Sequence, residues 1–311
     1  MQSTPHHYRL ASRAMSSVLS AQFLSALADN MFIVIAISLV LSAKIPNGEA
    51  LLQAVFVIPF IVLAAFAGPF ADNLPKGRVM LIGNGIKLLG TAVIIAGYHL
   101  AHRYAPIIGY GIAGMGACLY SPAKYGILAQ MFDRDRLVKA NGMMEGSTIV
   151  AILAGAICGG IIMDKIPQQA LYIVAAIYFL ATVFNLGIPK LPPAHPDPNR
   201  KISVLLQNYA HSLLTLFKNP HARFSLLGTG LFWGASSTLR LMLFAWVPLA
   251  LYLNEKSAAA NLMGATGIGI VIGAGLAAAF VKLEKVNRAL MGGLAIGLFI
   301  MLISQVQAPS A

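Results

Sequence analysis

The sequence alternates long apolar runs with short polar breaks, and the runs are too long and too uniformly apolar to be the buried stripe of an amphipathic surface helix. About 20 apolar residues suffice to cross a hydrocarbon core roughly 30 Å thick. Nine segments reach that length: residues 15-43, 50-71, 79-98, 105-131, 141-163, 169-188, 224-252, 257-281 and 289-306. Between the sixth and the seventh lies the one long polar stretch, IPKLPPAHPDPNRKIS, whose prolines forbid a continuous helix and whose charges keep it in water. The pattern predicts an all-α polytopic membrane protein with about nine transmembrane helices: a six-helix bundle over 1-188, a linker over 189-223 and three further helices over 224-311.

Composition supports that reading. Of 311 residues, 58% are hydrophobic and 10% are charged, which excludes an ordinary soluble domain. The net charge of +12 raises the question of nucleic acid. The basic residues are scattered through short loops with no recognisable nucleic-acid motif, so no such partner is expected. Their distribution sets an orientation instead. Fifteen Lys and Arg fall in the N-terminal segment and the loops after spans 2, 4, 6 and 8, against four (Lys44, Arg103, Lys165 and Lys256) in the opposite loops. By the positive-inside rule the N-terminus and the linker face the cytoplasm. The N-terminal run is too long for a signal peptide and reads as a retained first span. Cys118 and Cys158 sit in apolar runs and read as small hydrophobes.

Five ionisable side chains fall inside the spans: Asp29, Lys87, Lys124, Glu145 and Arg240. Each costs about 2.5–3.5 kcal/mol at the centre of an isolated helix, so each requires a partner or a wet cavity. Counting at about 1.5 Å per residue puts Asp29 and Arg240 at or beyond the midplane, where opposite charges from spans 1 and 7 could meet. Gln22, Ser25 and Asp29 share one stripe of span 1, and Ser225, Thr229, Ser236 and Arg240 share one of span 7. Asn84, Lys87 and Thr91 form a third stripe on span 3. Lys124 and Glu145 lie at comparable depth on neighbouring spans and could pair. Snorkelling for Lys124, a helix-start carboxylate for Glu145 and a purely structural ion pair for Asp29 and Arg240 are the alternatives. Gly155 with Gly159, and the glycines of span 8 at 264, 267, 269, 273 and 275, suit close helix packing.

Six spans, a cytoplasmic linker and a second series of spans resemble the layout of the major facilitator superfamily, in which two six-helix halves rock about a central site. The segment GPFADNLPKGRVML resembles that superfamily's loop 2-3 motif, with Asp72, Gly77 and Arg78 as its gating residues. Gly77-Arg78 stands two positions later than the usual pattern, and a plain Asn/Pro/Gly turn is the alternative. The segments AQFLSALADN, KGRVMLIGNGIKLLG, YSPAKYGIL, LVKANGMMEGSTI and RFSLLGTGLFWGASSTLRLMLFAWVPLAL carry a more specific resemblance, to the bacterial lysophospholipid transporters of that superfamily. The likeness covers about nine of the family's twelve helices, so the sequence is expected to be incomplete at its C-terminal end.

The resemblance implies a flippase that moves lysophosphatidylethanolamine, lysophosphatidylglycerol and related lipids to the cytoplasmic leaflet of the inner membrane. There an acyltransferase/acyl-carrier-protein synthetase re-acylates them. The family's charged membrane-centre positions fall here on Asp29, Asn30, Lys124, Glu145 and Arg240 as substrate-binding residues, with Gln22, Ser25, Asn84, Lys87 and Ser236 as secondary polar lining. No nucleotide, metal or hydrolase motif accompanies them, so neither an enzyme nor a cofactor is expected. Two other readings stay open: an exporter of a different amphipathic solute, and a truncated, non-transporting scaffold for the acyltransferase.

Overall fold

The structure, a computed structural model, describes residues 8–194 and 201–250 and scattered positions between 262 and 305. Most of spans 8 and 9 of the sequence reading, with all the span-8 glycines but Gly269, therefore lies outside the described residues. The helices are α1 (Arg13–Ser42), α2 (Gly48–Val62), α3 (Ala64–Asn73), α4 (Lys76–His99), α5 (Ala105–Met131), α6 (Arg134–Lys165), α7 (Ala170–Leu186), α8 (Ile202–Lys218) and α9 (Pro220–Ala250). Among the described residues, four spans pass on length and hydropathy: α1, α4, the Lys139–Lys165 part of α6, and Pro167–Leu186, which is α7 with its short 3-10 entry. α2 and α3 make a fifth if taken together. The 27 residues of α5 reach about 40 Å at 1.5 Å per residue, although its glycines dilute its hydropathy.

Local chemistry sets the helix ends. The Ser12 hydroxyl caps α1 by accepting from the Met15 amide at 3.3 Å, and Asp133 caps α6 by accepting from the Arg136 amide at 3.2 Å. Two differences from the sequence reading concern span 2 and the linker. Span 2 is broken at Leu63 with a bend of 63° between its two pieces, each of which contains a proline, Pro59 and Pro69. The linker contains a 17-residue helix, α8, formed where the prolines have ended.

α1 lies against α6 and α7, α4 bridges α5 and α7, and α2 packs on α5. Two seams rest on glycine. On α4, Gly83 and Gly90 are one heptad apart and meet Gly116 and Gly109 of the antiparallel α5. A Cβ on Gly83 would stand 2.9 Å from the Gly116 carbonyl, and one on Gly90 would run into that of Gly109. On α6, Gly155 and Gly159 bring its backbone onto α1 at Leu27 and Met31, as their spacing suggested.

Two apolar clusters fill the bundle. One gathers Phe32, Ile94, Tyr110 and Tyr178 with Leu243 and Val247 of α9. The other gathers Met15, Met80, Tyr120, Ile127 and Met144. Along α1 and α4, between these clusters, lie the buried polar side chains Gln22, Ser25, Asn84, Lys87 and Thr91, and they form the site described next.

Candidate functional site

Ser25 and Asp29 are one turn apart on α1, and Asn84, Lys87 and Thr91 share one stripe of α4, so the glycine-tight α4–α5 seam fixes where that stripe points. The stripe faces α1. The Lys87 Nζ donates to Asp29 Oδ2 at 2.7 Å and to Ser25 Oγ at 2.9 Å, and the Ser25 hydroxyl donates onward to Asn84 Oδ1 at 2.7 Å. The Tyr178 hydroxyl of α7 donates to the other carboxylate oxygen, Asp29 Oδ1, at 2.7 Å. The Lys87 ammonium also lies 5.0 Å from the ring centre of Tyr120 on α5, within cation–π range.

This network resolves the cost of a charge in apolar surroundings. The side chain of Lys87 is 2% exposed and its ammonium is shared among a carboxylate, a hydroxyl and an aromatic face. Asp29 is 28% exposed, so the pair is closed on the lysine side and open on the carboxylate side. Gln22 donates to Thr148 Oγ1 of α6 at 2.9 Å. Gln22 Oε1, Asn84 Nδ2 and the Tyr120 hydroxyl are buried with no partner among the described residues, which leaves hydrogen-bonding capacity around the pair.

A second charged pair joins α5 to α6, where Lys124 Nζ stands 3.7 Å from Glu145 Oε1. Glu145 is 48% exposed while the lysine stem is buried, and the separation is that of a loose ion pair that an incoming anion could open.

The structure thus brings together Ser25, Asp29, Asn84 and Lys87, and separately Lys124 and Glu145. The partner expected for Asp29 was Arg240. The two carboxylate oxygens accept from Lys87 and Tyr178, while the Arg240 side chain, and with it the expected pairing, lies outside the described residues. Asn30 stands apart from the pair. Its amide donates back to the Ala26 carbonyl of its own helix at 2.8 Å, and a Cβ on Gly155 would stand 2.8 Å from the Asn30 Cβ, which sets Asn30 in the α1–α6 seam. Ser236 is half-buried on α9.

In the α3–α4 turn, Asp72 pairs with Lys76, one helical turn ahead, and Arg78 is exposed. A Cβ on Gly77 would stand 3.0 Å from Ile188 Cγ2, so this glycine serves contact with the segment after α7. Sequence reasoning missed Tyr178, Tyr120, Thr148 and Lys76. For Lys76 the i, i+4 spacing from Asp72 was a usable signal; a tyrosine in an apolar run carries none.

Because the Tyr178 hydroxyl is one of two groups holding Asp29, Tyr178→Phe should cost about 1 kcal/mol of stability. Thermal melting of the purified protein checks this, and an unchanged melting temperature would mean that the hydroxyl contributes nothing to holding Asp29.

A helical bundle with several helices long and apolar enough to cross a membrane, ion pairs in its interior and no strand among the described residues fits a polytopic membrane protein, and the Major Facilitator Superfamily model matches residues 18–310. The protein is 44% identical to the lysophospholipid transporter LplT of Serratia proteamaculans over 289 residues, which is 93% of this sequence and 71% of that protein. It is 43% identical to LplT of Klebsiella pneumoniae strain 342 over 96% of this sequence and 74% of that protein, and 45% identical to LplT of Yersinia enterocolitica over 93% and 70%. The protein belongs to the major facilitator superfamily and, within it, to the LplT family. It is a multi-pass membrane protein of a transporter class, not an enzyme class.

Proposed function

We propose that the protein transports lysophospholipids from the outer to the cytoplasmic leaflet of the bacterial inner membrane, where an acyltransferase/acyl-carrier-protein synthetase consumes them. The reading rests on one observation: a protein 44% identical to a lysophospholipid transporter holds an ion pair, Asp29–Lys87, whose carboxylate stays partly open. A lysolipid presents a phosphate and, in the ethanolamine form, an ammonium, while its single tail can remain among lipids. The open edge of Asp29 suits the ammonium. Lys124, and Arg240 through its bidentate fork, suit the phosphate, and Glu145 releases Lys124 for it. Gln22, Ser25 and Asn84 line the same region. Ser236 lies one turn from Arg240 on α9, and the α3–α4 turn of Asp72, Gly77 and Arg78 serves as the gate on the cytoplasmic side.

In this reading residues 1-188 form the first bundle, 189-223 the linker and 224-311 part of the second. In the same reading the N-terminus lies in the cytoplasm, which the fifteen-to-four excess of loop cations supports. Uptake of a fluorescent lysophosphatidylethanolamine by spheroplasts tests the proposal. Asp29→Asn and Arg240→Gln should each reduce uptake to background with the protein still in the membrane. Normal uptake by both variants, or uptake of unrelated amphipathic drugs in preference to lysolipid, would overturn it.

A further inference from the structure

α8 is too short to cross a membrane, yet it is sharply two-sided. At 100° per residue, Ile202, Leu205, Leu206, Tyr209, Leu213, Leu216 and Phe217 fall on one arc, and Gln207, Asn208, His211, Thr215 and Lys218 fall on the other, interrupted there only by Val204, with Leu214 at its edge. A stripe of that width on a soluble protein would be buried against a core. Here no residue of α8 is buried. It touches α3 and α9; Leu205 and Leu213 are half-buried, while Ile202, Leu206 and Phe217 remain exposed.

The surroundings specify what covers this face. α8 follows α7, one of the membrane-crossing helices, and runs directly into α9, with Asn219 capping the turn between them by accepting from the His221 amide at 3.0 Å. The helix is thus tethered at the membrane surface. The segment 189–223 carries Lys190, Arg200, Lys201, Lys218 and Arg223 against a single acid, Asp197. Cationic flanks around an apolar arc match the boundary between anionic headgroups and acyl chains.

We infer that α8 is an interfacial helix, lying in the plane of the membrane with its Leu206–Phe217 face among the upper acyl chains and its basic flanks on anionic phospholipid headgroups. A protein partner on this face would need an apolar groove and would gain little from the basic flanks. Its role also differs from that of the linker as a passive tether, because it ties the junction between α7 and α9 to the composition of the leaflet.

The test uses the full-length protein with Cys118→Ala and Cys158→Ser, and single cysteines introduced by Leu206→Cys, Phe217→Cys, Gln207→Cys and His211→Cys. Each is spin-labelled and reconstituted in phosphatidylcholine vesicles containing about a quarter phosphatidylglycerol. Labels at 206 and 217 should show a several-fold higher ratio of oxygen to aqueous-nickel accessibility than those at 207 and 211. That contrast should shrink in pure phosphatidylcholine and on Lys201→Gln with Lys218→Gln. Low accessibility to both reagents at 206 and 217 would mean that protein covers the face, and equal nickel access at all four positions would mean that the helix stands in water; either overturns the inference. An identical contrast in both lipid mixtures would overturn its dependence on anionic headgroups.

Discussion

Lys87→Met is expected to abolish lysolipid uptake and to lower stability by about 3 kcal/mol, because it leaves the Asp29 carboxylate without its cation in apolar surroundings. The double variant Asp29→Asn with Lys87→Met removes both charges, and the Tyr178 hydroxyl can still donate to the amide oxygen in place of Asp29 Oδ1. It should recover most of the lost stability, since removing a buried pair together is far less costly than removing one member. It should not recover transport. Melting of purified protein and spheroplast uptake, measured on the parent and these two variants, separate the two roles. Recovery of uptake by the double variant would make the pair a structural clamp between α1 and α4 and would end its assignment to the site.

A second large effect is expected at the α4–α5 seam. Gly90→Leu places a branched side chain where the Gly109 carbonyl already sits, so the two backbones must separate. Overpacking usually costs about 1–3 kcal/mol, and a collision with backbone lies at or above the top of that range because backbone cannot change rotamer. Lys87 stands between Gly83 and Gly90 on the same helix, so any displacement of α4 also pulls its ammonium from Asp29. Yield of monodisperse protein and uptake should fall together. Gly85→Leu is the internal control: a Cβ there meets nothing within 4 Å, and the variant should behave like the parent. Equal behaviour of the two variants would show that the seam does not set the geometry of the ion pair.

Much of the architecture could be read directly from the sequence, because a membrane interior imposes a length and a polarity that every span must satisfy. The predicted spans 105-131 and 79-98 lie within a few residues of α5 and α4. Polar stripes were equally readable, since Asn84, Lys87 and Thr91 share a helix face by spacing alone. Which neighbour a stripe faces was not readable. Periodicity gives a direction around one axis and says nothing about helix order in space, so depth alone suggested Arg240 as a partner for Asp29 and gave no sign that Lys87 of α4 also reaches it. Tyr178 was invisible for a related reason: its hydroxyl matters only because a carboxylate from a residue 149 positions earlier lies beside it. The heptad of glycines on α4 was present in the sequence, but Gly85 sits among them and faces open space. α8 escaped because its apolar residues are interleaved with polar ones and never form the long run by which spans are recognised.

The break at Leu63 bears on how such a protein moves. In the first piece of span 2, Phe56 stacks on Tyr110 of α5 with ring centres 5.0 Å apart, while the second piece, α3, touches α8 and runs into the Asp72–Lys76 turn. A straight helix would act as a lever, carrying any tilt at one surface to the other. A corner of 63° interrupts that lever, so a tilt of the half beside α8 need not be carried whole into the half that holds the aromatic stack.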